Sequence, residues 1–197
     1  MADLLVSLGM QEGTRNIHEG QGTSNRRFFF ANCALELLWV HDSVEANNGP
    51  GRDMLLSKRS VESTASPFGI ILQRTDNSII EIPFNGWNYQ PDYFSPPRAF
   101  HIGENSNKLV EPLCIYAPFI EPDNSTQTPD EGIFKFISSI RVYTPSDPLS
   151  DVLLIANSAD RLSIEQGPQH LIEITFDDHK SKCSKDLRPD IPLIIYW

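Results

Sequence analysis

Glu36 is the one charged residue in a strand-length apolar run, Ala34-Leu35-Glu36-Leu37-Leu38-Trp39-Val40. At a spacing of two its same-face neighbours are Ala34, Leu38 and Val40, and the opposite face carries Leu35, Leu37 and Trp39, so neither face reads as solvated. A carboxylate in such a strand is desolvated, paired or lining a cavity, and desolvation lifts its pKa toward the range of a general base. The plainer alternative is a structural ion pair with Arg26 or Arg27. Glu173, in Leu171-Ile172-Glu173-Ile174-Thr175-Phe176, fits an ordinary half-exposed strand whose glutamate faces water. No two of the five histidines share a ligand spacing such as HExxH, which leaves His101, followed by Ile102-Gly103-Glu104, as the reserve candidate for acid-base chemistry. Gly20-Gln21-Gly22 lacks the last glycine and the strand-to-helix setting of a dinucleotide fingerprint, and there is no GxSxG elbow, P-loop or CxxC.

Periodicity supplies the elements that would hold these residues. Leu4, Leu5 and Leu8 share a helical face that Gly9 ends. Residues 13–25 are polar and glycine-rich; then Arg27-Phe28-Phe29-Phe30 and the run around Glu36 read as two buried strands joined through Ala31-Asn32. Residues 42–65, with Asn47-Asn48-Gly49-Pro50-Gly51 as a breaker, read as a surface excursion. Short strands are expected at 68–72, 79–82, 99–102 and 113–116. Residues 83–97 hold Trp87, Tyr89, Tyr93 and Phe94 among four prolines, too proline-rich for a helix and too aromatic to float in water, so they lie over something apolar, either capping the core or forming a wall or lid over a cavity. After a proline- and acid-rich linker at 121–132, a strand covers 140–143 and a helix about 148–159, with Leu149, Val152, Leu153 and Ala156 inward; strands at 171–176 and 192–197 close the chain.

With 197 residues, 40% of them apolar, the chain can bury a core as one body without metal or disulfides. A net charge of −10, from 26 acidic against 16 basic residues, works against nucleic acid and anionic membrane surfaces. No apolar run approaches the roughly 18 residues of a membrane span, and Met1-Ala2-Asp3-Leu4 lacks the basic start of a secretory signal, so a cytoplasmic protein is expected. Cys33 and Cys114 sit in apolar runs as small hydrophobes, and Cys183 lies among Lys180, Lys182 and Lys185 in a polar segment.

The chain also echoes itself. Ala2-Asp3-Leu4-Leu5, Gln21-Gly22 and Leu35-Glu36-Leu37 recur in the same order as Ser150-Asp151-Val152-Leu153, Gln166-Gly167 and Ile172-Glu173-Ile174. Units of helix and strands with one glutamate in the last strand resemble the βαβββ modules of the vicinal oxygen chelate superfamily. His18-Glu19-Gly20-Gln21-Gly22-Thr23-Ser24-Asn25-Arg26 followed by Ala34-Leu35-Glu36-Leu37-Leu38 is similar to the opening module of glyoxalase-like domain proteins, and the stretch from Gly132 to Pro145 to the start of a later one.

The resemblance implies an α+β fold of repeated modules whose curved, half-barrel sheets surround a cavity. One domain spans 1–197, with a first module at 1–65 that lacks its opening strand, diverged middle strands at 66–120 and a last module at 133–197. Metal-dependent family members use two histidines and two glutamates. Here one histidine position is absent and Phe136-Ile137-Ser138-Ser139-Ile140-Arg141 offers serines at the other, so no cofactor is expected and a divalent metal is disfavoured. The implied function is action on, or binding of, a small oxygenated or aromatic metabolite in a cavity lined by Glu36, as a lyase, isomerase or dioxygenase. The alternative is sequestration without metal or turnover. Glu36 and His101 are the catalytic candidates; Asn25, Arg26, Trp87, Tyr89 and Glu173 are the substrate-binding ones, arginine through two parallel hydrogen bonds to a carboxylate. The expected partners are a small-molecule ligand and, at most, a second copy of the chain. The missing opening strand also predicts an uncovered sheet edge.

Overall fold

Helix α1 (Ala2–Ser7) turns Ala2 and Leu5 into the core, and the chain reverses at Gly9, whose φ of 97° suits a residue without a Cβ. Three antiparallel strands follow, β1 (Asn16–His18), β2 (Thr23–Phe29) and β3 (Ala34–Val40), in that spatial order. The computed structural model describes residues 1–62, 64–78, 81–121 and 132–197. Two helices, α2 (Ser43–Asn48) and α3 (Leu56–Val61), and a 3-10 turn (Arg52–Met54) occupy the region read as a surface excursion. The missed signal is at the start of α2: the Asp42 side chain accepts from the Val44 and Glu45 backbone N–H groups, a cap that outweighs the breaker downstream.

A second sheet holds β4 (Gly69–Leu72), β5 (Gly86–Tyr89), β6 (Phe100–Gly103) and β7 (Leu113–Tyr116) in the order β4-β7-β6-β5. Ile79 and Ile80 of the strand expected at 79–82 lie outside the described residues, as does 122–131 of the linker, and Glu81 and Ile82 are not in a strand. The third sheet comprises β8 (Ile137–Thr144), β9 (Leu162–Gln166), β10 (Leu171–Phe176), β11 (Ser184–Asp186) and β12 (Leu193–Tyr196), ordered β11-β12-β10-β8-β9. Helix α4 (Asp151–Ala156), capped by Ser150, carries the chain from β8 to its parallel neighbour β9 and buries Val152, Leu153 and Ala156. The fold is therefore α+β, with mixed and antiparallel sheets and no closed barrel among the described residues. In the first half β2 and β3 pair directly, whereas in the second β9 and β10 flank β8.

Alternation decides which face of each strand is inward. Phe28, with Leu35 and Leu37 beside it, packs on Leu5, Phe134, Ile174, Phe176 and Ile195 in one core. A second core joins Cys114 and Tyr116 to Val142, Ile164 and α4, and Ile140 and Ile172 touch both. Burial pushes the Cys114 thiol up to about 12, so it serves as a small hydrophobe. A smaller core holds Met54, Tyr89, Ile102 and Leu113.

Two buried charged residues brace these layers. The Arg59 guanidinium donates to the backbone carbonyls of Glu111 (2.7 Å), Ser106 (3.0 Å), Leu109 and Met54 (3.3 Å each). The Glu111 carboxylate, with no solvent exposure, accepts from Ser146 Oγ and the Ser150 N–H (3.0 Å each), from Asn105 Nδ2 (3.1 Å) and from Ser150 Oγ. Among the described residues no helix is long and apolar enough to cross a membrane.

Candidate functional site

The glycine-rich segment after His18 is a tight turn between β1 and β2. Gly20 and Gly22 have φ of 77° and 68°, and a Cβ on Gly22 would lie 2.2 Å from the Asp42 carbonyl oxygen, so only glycine fits this approach to α2. The turn sets His18 opposite Thr23, Asn16 opposite Asn25 and, one strand further, Arg27 opposite Glu36. Because side chains alternate, Asn16, His18, Thr23, Asn25, Arg27 and Glu36 share one face, with Phe28, Leu35 and Leu37 on the other.

That face is polar and internally ordered. The backbone N–H of Asn16 donates to Asn25 Oδ1 at 3.0 Å, which fixes the amide so that Asn25 Nδ2 donates to Glu36 Oε2 at 3.2 Å. Asn25 and Thr23 are fully buried; Glu36 is exposed, contrary to the expectation that neither face of its strand is wetted. Surrounding protein still withholds part of its hydration, and this raises the Glu36 pKa against the opposing effects of the Asn25 bond and the Arg27 charge. Arg27 is drawn sideways: its Nε donates to the Thr14 carbonyl at 2.9 Å and its guanidinium lies 5.1 Å from the Phe29 ring centre.

Tyr93, from the proline-rich segment, crosses over the turn. Its ring centre is 5.5 Å from that of His18, and its hydroxyl donates to Gln21 Oε1 at 3.5 Å while Gln21 Nε2 donates to Thr23 Oγ1 at 2.7 Å. His18 Nδ1 is 2.9 Å from the same Thr23 oxygen. Burial, then the charges of Arg27 and His41, lower the His18 pKa, so its imidazole is neutral near pH 7. Burial and the nearby Glu36 charge push the Tyr93 phenol up to about 12. This polar face thus carries an exposed carboxyl, Glu36, held by a buried amide, with a neutral imidazole and a phenol at the neighbouring turn. Such a set can accept a proton from a ligand and hydrogen-bond its oxygens.

The other candidates are dispersed. Arg26 points to the opposite face, where it pairs with Asp3 at 2.7 Å and with Glu12, tying β2 to the N-terminal helix; both its bonding partners are carboxylates of the chain itself. His101 is buried with both ring nitrogens 3.0 Å from acceptor atoms, Asn88 Oδ1 and the Phe84 carbonyl. It borders a separate cleft of ≈ 430 Å³ with Phe84, Glu104, Asp151 and Ile155. Trp87 donates to Ser106 Oγ at 3.3 Å, and Tyr89 stacks on Phe100 in the smaller core, buried, with its phenol influenced by that of Tyr93. Glu173 faces away from the core on the third sheet, directly opposite Arg141 as Glu36 is opposite Arg27, and receives the Tyr143 and Tyr196 hydroxyls at 3.5 and 3.4 Å.

Sequence reasoning passed over His18, Gln21 and Thr23, whose readable signal was period two resuming across a glycine turn. Among the described residues no three His, Cys, Asp or Glu side chains converge as a metal-binding group. No protein-family model matches this chain, and no curated protein matches it. In fold it is similar to the crystal structure of a hypothetical protein from Staphylococcus aureus, with a TM-score of 0.52 and 12% identity over 94% of this chain and 88% of that one.

Proposed function

We propose that this chain is a glyoxalase-like protein of the vicinal oxygen chelate superfamily that takes a small oxygenated or aromatic metabolite in the recess over Glu36. The observation that carries the reading is the exposed Glu36 carboxyl held by the buried Asn25 amide, its proton affinity raised by the surrounding protein. The segment 18–26 that resembles the family supplies His18, Gln21, Thr23 and Asn25 of this polar face and its turn. A ligand hydroxyl or acidic C–H would deliver its proton to Glu36, while its ring lies against Tyr93 and His18. The cavity-enclosing modules and the cytoplasmic setting belong to the same proposal.

Binding without turnover is the second reading. It is favoured by the position of His101, whose nitrogens are both engaged at another cleft, so the acid-base partner suggested by the sequence is not beside Glu36. Thermal unfolding with catechol, hydroxyacetone and 4-hydroxyacetophenone at 10 mM tests both. A ligand at about 100 times its Kd adds about 2.7 kcal/mol, which in a chain of this size raises Tm by roughly 5 °C or more. No shift with any of the three would sink the recess as a binding site; a shift without conversion of the compound selects sequestration.

A further inference from the structure

Strand β3 forms an apolar sheet edge. Among the described residues it pairs with β2 alone, in a register unbroken by any bulge. None of its seven residues is buried, and Leu38 and Trp39 are 43% and 44% exposed, although Glu36 is the strand's one charge. A long apolar edge without proline or lysine to blunt it is a template for another strand.

The ladder fixes which backbone groups point outward. The Phe30 N–H donates to the Cys33 carbonyl at 2.9 Å and the His41 N–H to the Gly22 carbonyl at 3.0 Å, and both pairs continue the β2–β3 register. Bonded and non-bonded pairs alternate in an antiparallel ladder. Leu35, Leu37 and Trp39 therefore bond to β2, while Ala34, Glu36, Leu38 and Val40 turn their N–H and C=O groups away from it. Helix α3 approaches β3 but takes up none of these groups; among the described residues the one hydrogen bond to them runs from the Cys33 thiol to the Ala34 carbonyl, at 3.7 Å.

We infer that β3 is a dimer seam: it pairs antiparallel with β3 of a second copy about a two-fold axis at Leu37, joining two three-stranded sheets into one of six. An axis normal to the sheet sets side chains of the same face opposite each other. Centring on Leu37 places all four outward residues in bonded pairs, Ala34 with Val40 of the partner subunit and Glu36 with Leu38 of the partner subunit. That makes about eight hydrogen bonds, close to the roughly ten of a typical interface. Leu35 then meets Trp39 of the partner subunit and Leu37 meets its own copy, so the half-buried apolar row beside the first core continues across the seam. Centring on Glu36 would set two carboxylates directly opposite each other, and centring on Leu38 would leave Ala34 beyond the end of the partner strand. The added strand lies in the plane of the sheet, so the polar face around Glu36 stays open and the seam forms whether or not that face binds a ligand. A contact one strand wide falls below the roughly 1,200 Å² of lasting complexes, which sets the Kd at roughly 10–100 μM.

Sedimentation velocity from about 5 to about 500 μM should show monomer passing to dimer. Over the same range the Glu36 and Leu38 amides should exchange hydrogen more slowly, with Leu35 and Leu37, already bonded to β2, unchanged. Leu38→Pro removes an outward N–H and no bond to β2, so it should give a folded monomer. Leu38→Lys and Leu38→Glu alter a side chain already 43% exposed and keep the fold. Each new charge faces Glu36 of the partner subunit, so the Lys dimer should be at least roughly tenfold tighter than the Glu dimer. A monomer at the highest concentration, a dimer that Leu38→Pro leaves intact, or equal Kd for the Lys and Glu variants would overturn the seam.

Discussion

Glu36→Gln is expected to weaken 4-hydroxyacetophenone binding roughly 10- to 30-fold, about 1.4–2 kcal/mol, while leaving the folded protein intact. Glutamine keeps the length of the side chain and can still accept from Asn25 Nδ2 at the position now 3.2 Å away, so the loss isolates the carboxylate. The figure is placed low in the range for charged hydrogen bonds because water also reaches this carboxyl. Binding should also depend on pH in the wild type alone: affinity rises as Glu36 ionises, over a range displaced above the ordinary 4.5 by burial. Stability moves the opposite way. A carboxyl that holds its proton more tightly when folded contributes stability that is fully present below its unfolded pKa and is lost as pH rises through the folded one. The Gln variant should therefore be no less stable than wild type at pH 7. Isothermal titration between pH 4 and 8 measures the first effect and thermal unfolding over the same range the second; a pH-independent wild-type affinity would count against Glu36 as the proton acceptor.

The second large effect concerns the buried Glu111 brace at the start of α4. Glu111→Ala should cost about 3–5 kcal/mol and lower Tm by roughly 10 °C. The carboxylate is fully buried and satisfies Ser146, Asn105 and both the N–H and hydroxyl of Ser150, the residue that caps α4. Its removal leaves those donors unpaired and a gap between the second sheet and α4. Lys108, 3.8 Å away and half exposed, is too loosely placed to supply the stability instead. Chemical unfolding of the variant reads the loss directly, and a change below about 1 kcal/mol would show that the network is replaceable by water.

Much of this arrangement was legible in the residues. The run from Ala34 to Val40 declared its strand by the alternation of Leu35 and Leu37 with Glu36, and Val152, Leu153 and Ala156 declared the inward face of α4. Solvation of the Ala34, Glu36 and Leu38 face was not legible, since three apolar residues around a carboxylate look the same whether they meet a core or an open recess. The Arg26 and Arg27 ambiguity was resolved only by register: one residue of slip exchanges the faces, and the observed pairing puts Arg27 opposite Glu36 and sends Arg26 to Asp3 and Glu12. Long-range meetings lay furthest from view. Tyr93 reaches His18 across 75 positions of sequence, and nothing in the spacing of either residue announces the other. His101, read as a strand histidine followed by Ile102-Gly103-Glu104, borders a different cleft, with Asn88 Oδ1 and the Phe84 carbonyl 3.0 Å from its nitrogens.

The carboxyl of Glu36 can be followed alone by carbon-13 NMR across pH 3 to 8, with Glu36→Gln assigning the signal. A midpoint above 4.5 is predicted, moving further upward if Arg27 is replaced by Met, because its charge now favours the ionised form. A midpoint at or below 4.5 would mean that Glu36 is an ordinary solvated carboxylate and that the recess over it holds no proton acceptor of the kind described.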